Sequence, residues 1–360
     1  MSLAQPKRIL IIKLRHHSDV LLSTPVADAL KTRFPDCEID MLVYAGTGQL
    51  IADNPQIAQI FTIDRNWKKL GVFKQLACEK NLLSKLKARD YDWAFNLSDQ
   101  WRAAVIAKLC ARCSVGLDCI KRDGFWWRFC HDFINHELDT SHHIVENQLN
   151  ILAPLIQPED VADAKVRLWV AQDARESMRQ KLREQGWNGE DYVLLHPGAR
   201  WHFKCWEDGK NAAIVQLLLN SGQNVVLTAS PDTVEQYMLQ EIIGRLNIPE
   251  GRKVYVLSGC LSLRELAAAI EGAKLFVGVD SAPMHIAAAL DKPQIALFGA
   301  SWVDKWRPYS EQAEVIYAGD YAELPHPDSI DTNDPTRLLK AIPLQDVWDR
   351  ISAKLEALEA

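Results

Sequence analysis

GVDSAPMHIAAAL, Gly278 to Leu290, is the stretch from which the rest of the chain is read. It follows AKLFVGV (273–279), an apolar run, broken only by Lys274, of the length of a buried strand. Asp280 and Ser281 come next, then Pro283 near the first turn of an apolar helix, where a proline loses no hydrogen bond that the helix needs. The N–H groups that open a helix have no partner within it and point at whatever lies in front. With the helix dipole they favour an anion, a phosphate above all. Ser281 adds a hydroxyl donor, and His285, about one turn on, can face the same place. The stretch reads as a strand-to-helix turn that holds the diphosphate of a nucleotide-activated substrate. The plainer reading, an ordinary turn with Asp280 or Ser281 as helix cap, stays open beside it.

Working outward, the same grammar recurs on both sides. DYVLLHPG (191–198), NVVLTAS (224–230), KVYVLSG (253–259) and KPQIALFG (292–299) read as strands, with helical spacing between them. An earlier series does the same: RILIIKL (8–14), EIDMLVY (38–44), AQIFTID (58–64) and YDWAFNL (91–97). Such alternation predicts an α/β protein of two doubly wound parallel sheets, expected to face one another across a cleft. From Ser114 to Ser141 the pattern dissolves, and KRDGFWWRFCHDF (121–133) reads as an aromatic, basic loop. Lys165 to Val170 reads as a strand leading into the second half. The expected domains are 1–165 and 166–340, followed by an amphipathic helix in 341–360.

A net charge of −6 and a pI near 6.0 give no global basic field for nucleic acid. No apolar run reaches the ~20 residues of a membrane span. Lys13 and Arg15 cut short the apolar start, and no small-residue cleavage site follows, so the chain is expected in the cytoplasm with its 8 cysteines mostly reduced. Cys110, Cys113, Cys119 and Cys130-His131 do not have zinc-finger spacing, and no metal is expected. GxGxxG, GxxxxGK[ST] and GxSxG are all missing, which argues against a dinucleotide cofactor, a P-loop nucleotidase and one class of hydrolase.

In open α/β sheets ligands lie beyond the carboxyl ends of the strands. Residues 15–19, 196–206, 228–235 and 278–285 all fall there. In HPGARWHFKCW, Gly198 permits close backbone approach, while Lys204 and Arg200 are phosphate candidates. Asp232 or Glu235 can serve a ribose hydroxyl pair, or simply cap a helix and face solvent. Asp19 is the candidate general base, with an N-cap as the alternative. Arg15, His16, His17, Lys68, Lys69, Arg102, Lys121, Arg122, Arg128 and His131 form a candidate basic surface for a phosphorylated or anionic glycolipid, or else scattered solvated charge.

With these residues in view, the chain resembles glycosyltransferase family 9, the lipopolysaccharide heptosyltransferases. The resemblance rests on KRILIIKLRHHSDVLLSTPVADALK, NLSDQWR, WWRFCHD, HPGARWHFKCW, SLRELAAAI and GVDSAPMHIAAAL, and covers most of the chain. NLSDQWR and WWRFCHD are most similar to the branch that adds the third, branching heptose of the inner core. The family implies a GT-B fold, with two Rossmann-like domains, the donor in the C-terminal one, and the last helix (341–360) packing back on the first. It implies inverting transfer of L-glycero-D-manno-heptose from ADP-heptose to an inner-core sugar of the lipid A–core acceptor, without a cofactor or required metal. Peripheral contact with the cytoplasmic face of the inner membrane goes with that acceptor. By position, Asp19 resembles the base, Lys204 the phosphate lysine, and Asp280, Ser281, Ala282 and His285 the donor loop. Leu261 falls where the family contacts adenine, and Asp232 or Glu235 at the ribose; Arg15, His16, Arg102, Arg122 and Arg128 are left for the acceptor. Gly198-Ala199 departs from the Thr pair of enzymes that add the first heptose. The rival readings are another GT-B enzyme with a different nucleotide sugar, an epimerase included, and a nucleotide-binding protein that catalyses nothing.

Overall fold

Runs such as Ile9–Ile12 have nothing polar to offer solvent, so a strand made of them needs cover on both faces. They have it in the structure, a computed structural model that describes residues 5–118, 122, 124–157, 161 and 163–359. The chain divides into two units between Trp169 and Val170.

In the first unit six parallel strands, β1 (Arg8–Lys13), β2 (Glu38–Tyr44), β3 (Gln59–Ile63), β4 (Tyr91–Asn96), β5 (Ala111–Asp118) and β6 (Phe133–His136), lie in the order 3-2-1-4-5-6. Side chains alternate across the sheet. Ile9, Ile11, Met41 and Phe95 pack with α1 (His17–Leu21) and α2 (Thr24–Arg33) through Val20, Val26 and Leu30. Leu10, Ile12, Leu42 and Ala94 pack with α3 (Val72–Ala88) and α4 (Trp101–Cys110) through Leu82, Leu86, Ile106 and Ala107. The stretch expected as a loop contains α5 (Phe125–Phe129) and leads into edge strand β6. Trp127 anchors it, buried, with its indole N–H donating to the Leu117 carbonyl at 3.1 Å. Helix α6 (Ile144–Leu149) follows.

Lys165 to Val170 forms no strand and joins neither sheet. Its N–H groups go to helix side chains instead: Lys165 donates to Asp28 Oδ2 at 3.1 Å and Arg167 to Thr24 Oγ1 at 3.2 Å. Without a neighbouring ladder, this segment is a tether on α2.

The second unit repeats the plan with β7 (Tyr192–His196), β8 (Asn224–Ala229), β9 (Val254–Ser258), β10 (Leu275–Val279), β11 (Gln294–Phe298) and β12 (Ala313–Tyr317), all parallel, in the order 12-11-10-7-8-9. Helices α7 (Gln172–Arg183), α8 (Asp208–Asn220), α9 (Thr233–Ile243), α10 (Leu263–Gly272), α11 (Ala282–Ala289), α12 (Val303–Trp306) and α13 (Leu344–Glu359) complete it. The apolar stripe of α13 does not follow the expectation of a helix on the first domain. Val347, Ile351 and Leu355 are buried in the second unit's core, with Ile214, Val215 and Leu218 of α8.

Candidate active site

In a doubly wound sheet the chain leaves two adjacent strands in opposite directions at one point, and the crevice beyond their carboxyl ends is the natural ligand site. The second unit has that point between β7 and β10, and the first between β1 and β4. Each is described by itself.

Beyond β10, Ser281 takes the N-cap position of α11 but its side chain makes no cap bond, so the plain capping reading fails for it. Its Oγ is shielded from solvent and has no hydrogen-bond partner among the described residues. Ala282 is the first residue of α11, and His285 lies buried one turn along. Asp280 does not cap the helix either, since its Oδ2 lies 2.5 Å from Lys204 Nζ. Lys204 ends a 3-10 turn (His202–Lys204) that follows β7. Its ammonium is flanked by the rings of Trp201 and Phe203, at 5.2 and 5.9 Å, which stack at an interplanar angle of 11°. With exposures of 16% and 6%, the two side chains form a largely desolvated ion pair, and the carboxylate fixes the lysine at the switch point.

Gly198 is needed for a reason the sequence hid. A Cβ there would meet Glu235 Oε2 at 2.6 Å. That carboxylate accepts the Ser230 N–H at 2.9 Å and lies 3.7 Å from His196 Nε2, while His196 Nδ1 meets Thr228 Oγ1 at 2.9 Å. Glu235 thus braces the turns after β7 and β8 from within. Burial pushes the His196 pKa down, opposed by the Glu235 charge. Asp232 caps α9, its Oδ1 accepting the Val234 N–H at 2.9 Å. Arg200 is exposed on the turn after β7, and Leu261 lies half-buried between β9 and α10.

In the first unit Asp19 is the third residue of the short α1, not its N-cap. The cap is His16, whose N–H donates to Asp19 Oδ2 at 3.3 Å. Behind it, Lys13 is buried at the end of β1 and donates to the Leu97 carbonyl at 3.2 Å. Burial pushes the Lys13 pKa down and the Asp19 charge works against that shift. The NLSDQ segment after β4 stitches the switch point together, a role the sequence reading missed although its place after a strand signalled it. Ser98 Oγ accepts the Leu14 N–H at 2.6 Å, and Gln100 donates to the Leu14 carbonyl at 2.9 Å while accepting from the Tyr44 hydroxyl.

Of the basic candidates, Arg15 and Arg122 are brought together on Asp99, the first at its carboxylate (2.9 Å) and the second at its carbonyl (2.6 Å). Arg102 pairs instead with Glu79 at 2.6 Å, and Arg128 with Asp118 at 3.5 Å. His131 is no part of a surface. It is buried, with Nδ1 3.0 Å from the Trp127 carbonyl and Nε2 3.2 Å from Asn96 Nδ2, and burial lowers its pKa. Lys121 and Cys119 lie outside the described residues. Burial pushes the Cys110 and Cys113 thiols up to about 11.

Two parallel six-stranded sheets in one chain, each wound from its own switch point, define a GT-B architecture. The glycosyltransferase family 9 (heptosyltransferase) model matches residues 80–336, and the chain belongs to that family. It is 37% identical over 335 residues to lipopolysaccharide heptosyltransferase 3 of Escherichia coli, covering 93% of this chain and 95% of that one. Among solved structures it is similar to a family 9 glycosyl transferase from Veillonella parvula, with TM-score 0.83 and 20% identity over 99% of each chain. It also resembles the E. coli ADP-heptose lipopolysaccharide heptosyltransferase II, with TM-score 0.76 and 22% identity over 98% of this chain and 100% of that one.

Proposed function

We propose that this heptosyltransferase moves L-glycero-D-manno-heptose from ADP-heptose to an inner-core heptose of lipopolysaccharide, with inversion and without a required metal. The observation that carries the reading is Lys204, held by Asp280 at the switch point, in the same crevice as the N-terminus of α11 and the Ser281 hydroxyl. That combination suits a leaving diphosphate. The sheet order suits the rest of the donor. Asp280 and Ser281 lie beyond β10, Gly198 to Lys204 beyond β7, Asp232 beyond β8 and Leu261 beyond β9. At about 4.8 Å per strand this edge is long enough to take diphosphate, ribose and adenine in turn.

In the reaction, Asp19 takes the proton of the acceptor hydroxyl, whose oxygen attacks the anomeric carbon. The bond from that carbon to the β-phosphate oxygen breaks, and ADP leaves with the bonding pair. Charge develops on that oxygen where Lys204, Ser281 and the helix dipole are fixed in advance. Arg15 and Arg122, sharing Asp99, suit an anionic acceptor. The enzyme works in the cytoplasm, in peripheral contact with the inner membrane that carries the acceptor. Asp19→Ala tests the scheme: calorimetry should show ADP bound as before while transfer to core-truncated lipopolysaccharide is lost. Transfer at a near-normal rate removes Asp19 as base, and activity with another nucleotide sugar but none with ADP-heptose removes the donor.

A further inference from the structure

We propose that the outer face of the helical layer α3–α4–α5 is a docking surface for an anionic lipid membrane. Its purpose rests on the reading above that the acceptor is membrane-borne, but its observations do not. Helix α4 is apolar on both sides. Ala103, Ala104, Ile106, Ala107 and Cys110 are buried inward, while Trp101, Val105 and Leu109, spaced four apart, face out. The only charged side chains of the helix, Arg102 and Lys108, are paired with Glu79 and Asp132, and a contiguous outward apolar row of this kind marks an interaction site. On one side α3 presents Val72, Phe73 (89% exposed) and Leu76 in its first turns. On the other, α5 presents Phe125, Trp126 (67% exposed) and Phe129.

The three helices are tied into one layer. Arg102 of α4 pairs with Glu79 of α3 at 2.6 Å, and Trp101 of α4 meets Trp127 of α5 edge to face at 5.5 Å. Of the 16 large apolar side chains exposed among the described residues, 11 lie between Leu70 and Phe133, so the exposure belongs to this layer.

Charge identifies the occupant. Along α3 and the turn before it, Lys68, Lys69, Lys74, Lys80, Lys85 and Lys87 are all exposed and only Glu79 among them is acidic, in a chain of net charge −6. Lysine is depleted at the core of protein–protein interfaces. Aromatic rings among lysines and arginines are what a surface needs to sit at an anionic headgroup layer. No helix among the described residues is long and apolar enough to cross a membrane, so attachment through this layer is peripheral. Helices α3 and α4 start at the carboxyl edge of the sheet, where Asp19 also lies, so docking brings that edge to the sugar nearest the bilayer.

The test is sedimentation of the full chain with phosphatidylcholine vesicles, with and without phosphatidylglycerol. Binding should require phosphatidylglycerol and weaken with salt. It should fall at least about tenfold in Phe73→Ser/Trp126→Ser/Phe129→Ser and in Lys74→Glu/Lys80→Glu, with circular dichroism unchanged. Both variants should still transfer heptose to a core oligosaccharide freed of its lipid. Failure to bind phosphatidylglycerol vesicles, equal binding to both vesicle types, or a dimer in light scattering that the same substitutions abolish overturns the proposal. If vesicles bind but heptose transfer is absent in the unmodified chain, the transferase reading fails and the docking surface stands.

Discussion

The Lys204–Asp280 contact joins residues 76 positions apart, and each side chain depends on the other. Removing the ammonium leaves a carboxylate only 6% exposed without its partner, and breaking such a pair costs about 3–5 kcal/mol. Lys204→Met should therefore lower stability in urea by roughly that amount and lower kcat by about 10²–10³-fold, the loss usual for one donor to a developing oxyanion. Adding Asp280→Asn should restore most of the stability and none of the rate. Rate recovered in the double variant would mean that Lys204 acts only as a structural partner. Buried histidines set a second expectation. His131 and His196 both have pKa values lowered by burial, so the unfolded chain binds their protons first. Stability is complete above the unfolded value of about 6.5 and falls as pH drops through the lowered folded values, by up to about 1.4 kcal/mol per pH unit for each. Urea midpoints at pH 7.5 and 5.5 should separate, and His131→Gln and His196→Gln should each reduce the separation; midpoints that coincide refute it.

At the scale of elements, what could be read from the chain was whatever has a single physical solution. RILIIKL and AKLFVGV can be satisfied only as covered strands, so both series of strands and the turn at Asp280 were legible. The α5–β6 segment was not, because its aromatic run serves two environments: Trp127 goes inward while Phe125 and Trp126 stay outside. Nor does an amphipathic stripe say what it packs on, so α13 was placed on the first domain by the resemblance alone, while its buried stripe lies in the core of the second unit. In the site, sequence order brought Gly198, Lys204, Asp280 and Ser281 under suspicion because they follow strands. The ion pair and the brace from Glu235 to Gly198 needed the strand order β10-β7-β8, which no local pattern encodes. The placement of α13 is itself testable. Ile351 is fully buried among second-unit side chains, and Ile351→Ala should cost about 2–5 kcal/mol. Differential scanning calorimetry should show that loss in the transition that ADP raises; a loss confined to a transition insensitive to ADP would assign the helix elsewhere.

Over the whole molecule, each unit carries its own sheet and its own core. The residues proposed to hold the donor (Gly198, Arg200, Lys204, Asp232, Leu261, Asp280, Ser281, Ala282 and His285) all belong to the second. Within that unit α8, α9 and α13 cover one face of its sheet, and α10 and α11 pack against β7, β10 and β11. The segment before it is a tether in which the Lys165 and Arg167 N–H groups bond to α2, so a cut after Trp169 severs no strand ladder. A fragment from Val170 to Ala360 should therefore unfold cooperatively and bind one ADP with a Kd within about tenfold of the full chain. It should transfer no heptose, since Asp19 is gone. A fragment ending at residue 340 lacks the stripe of Val347, Ile351 and Leu355 and should be far less stable, because three buried side chains at about 1.5–3 kcal/mol each amount to much of the roughly 5–15 kcal/mol that holds a domain folded. Calorimetric titration of both fragments decides it. A longer fragment that folds but ignores ADP, beside a full chain that binds it, would mean that the nucleotide needs residues before 170, and the donor edge drawn from β10 to β9 would have to be redrawn.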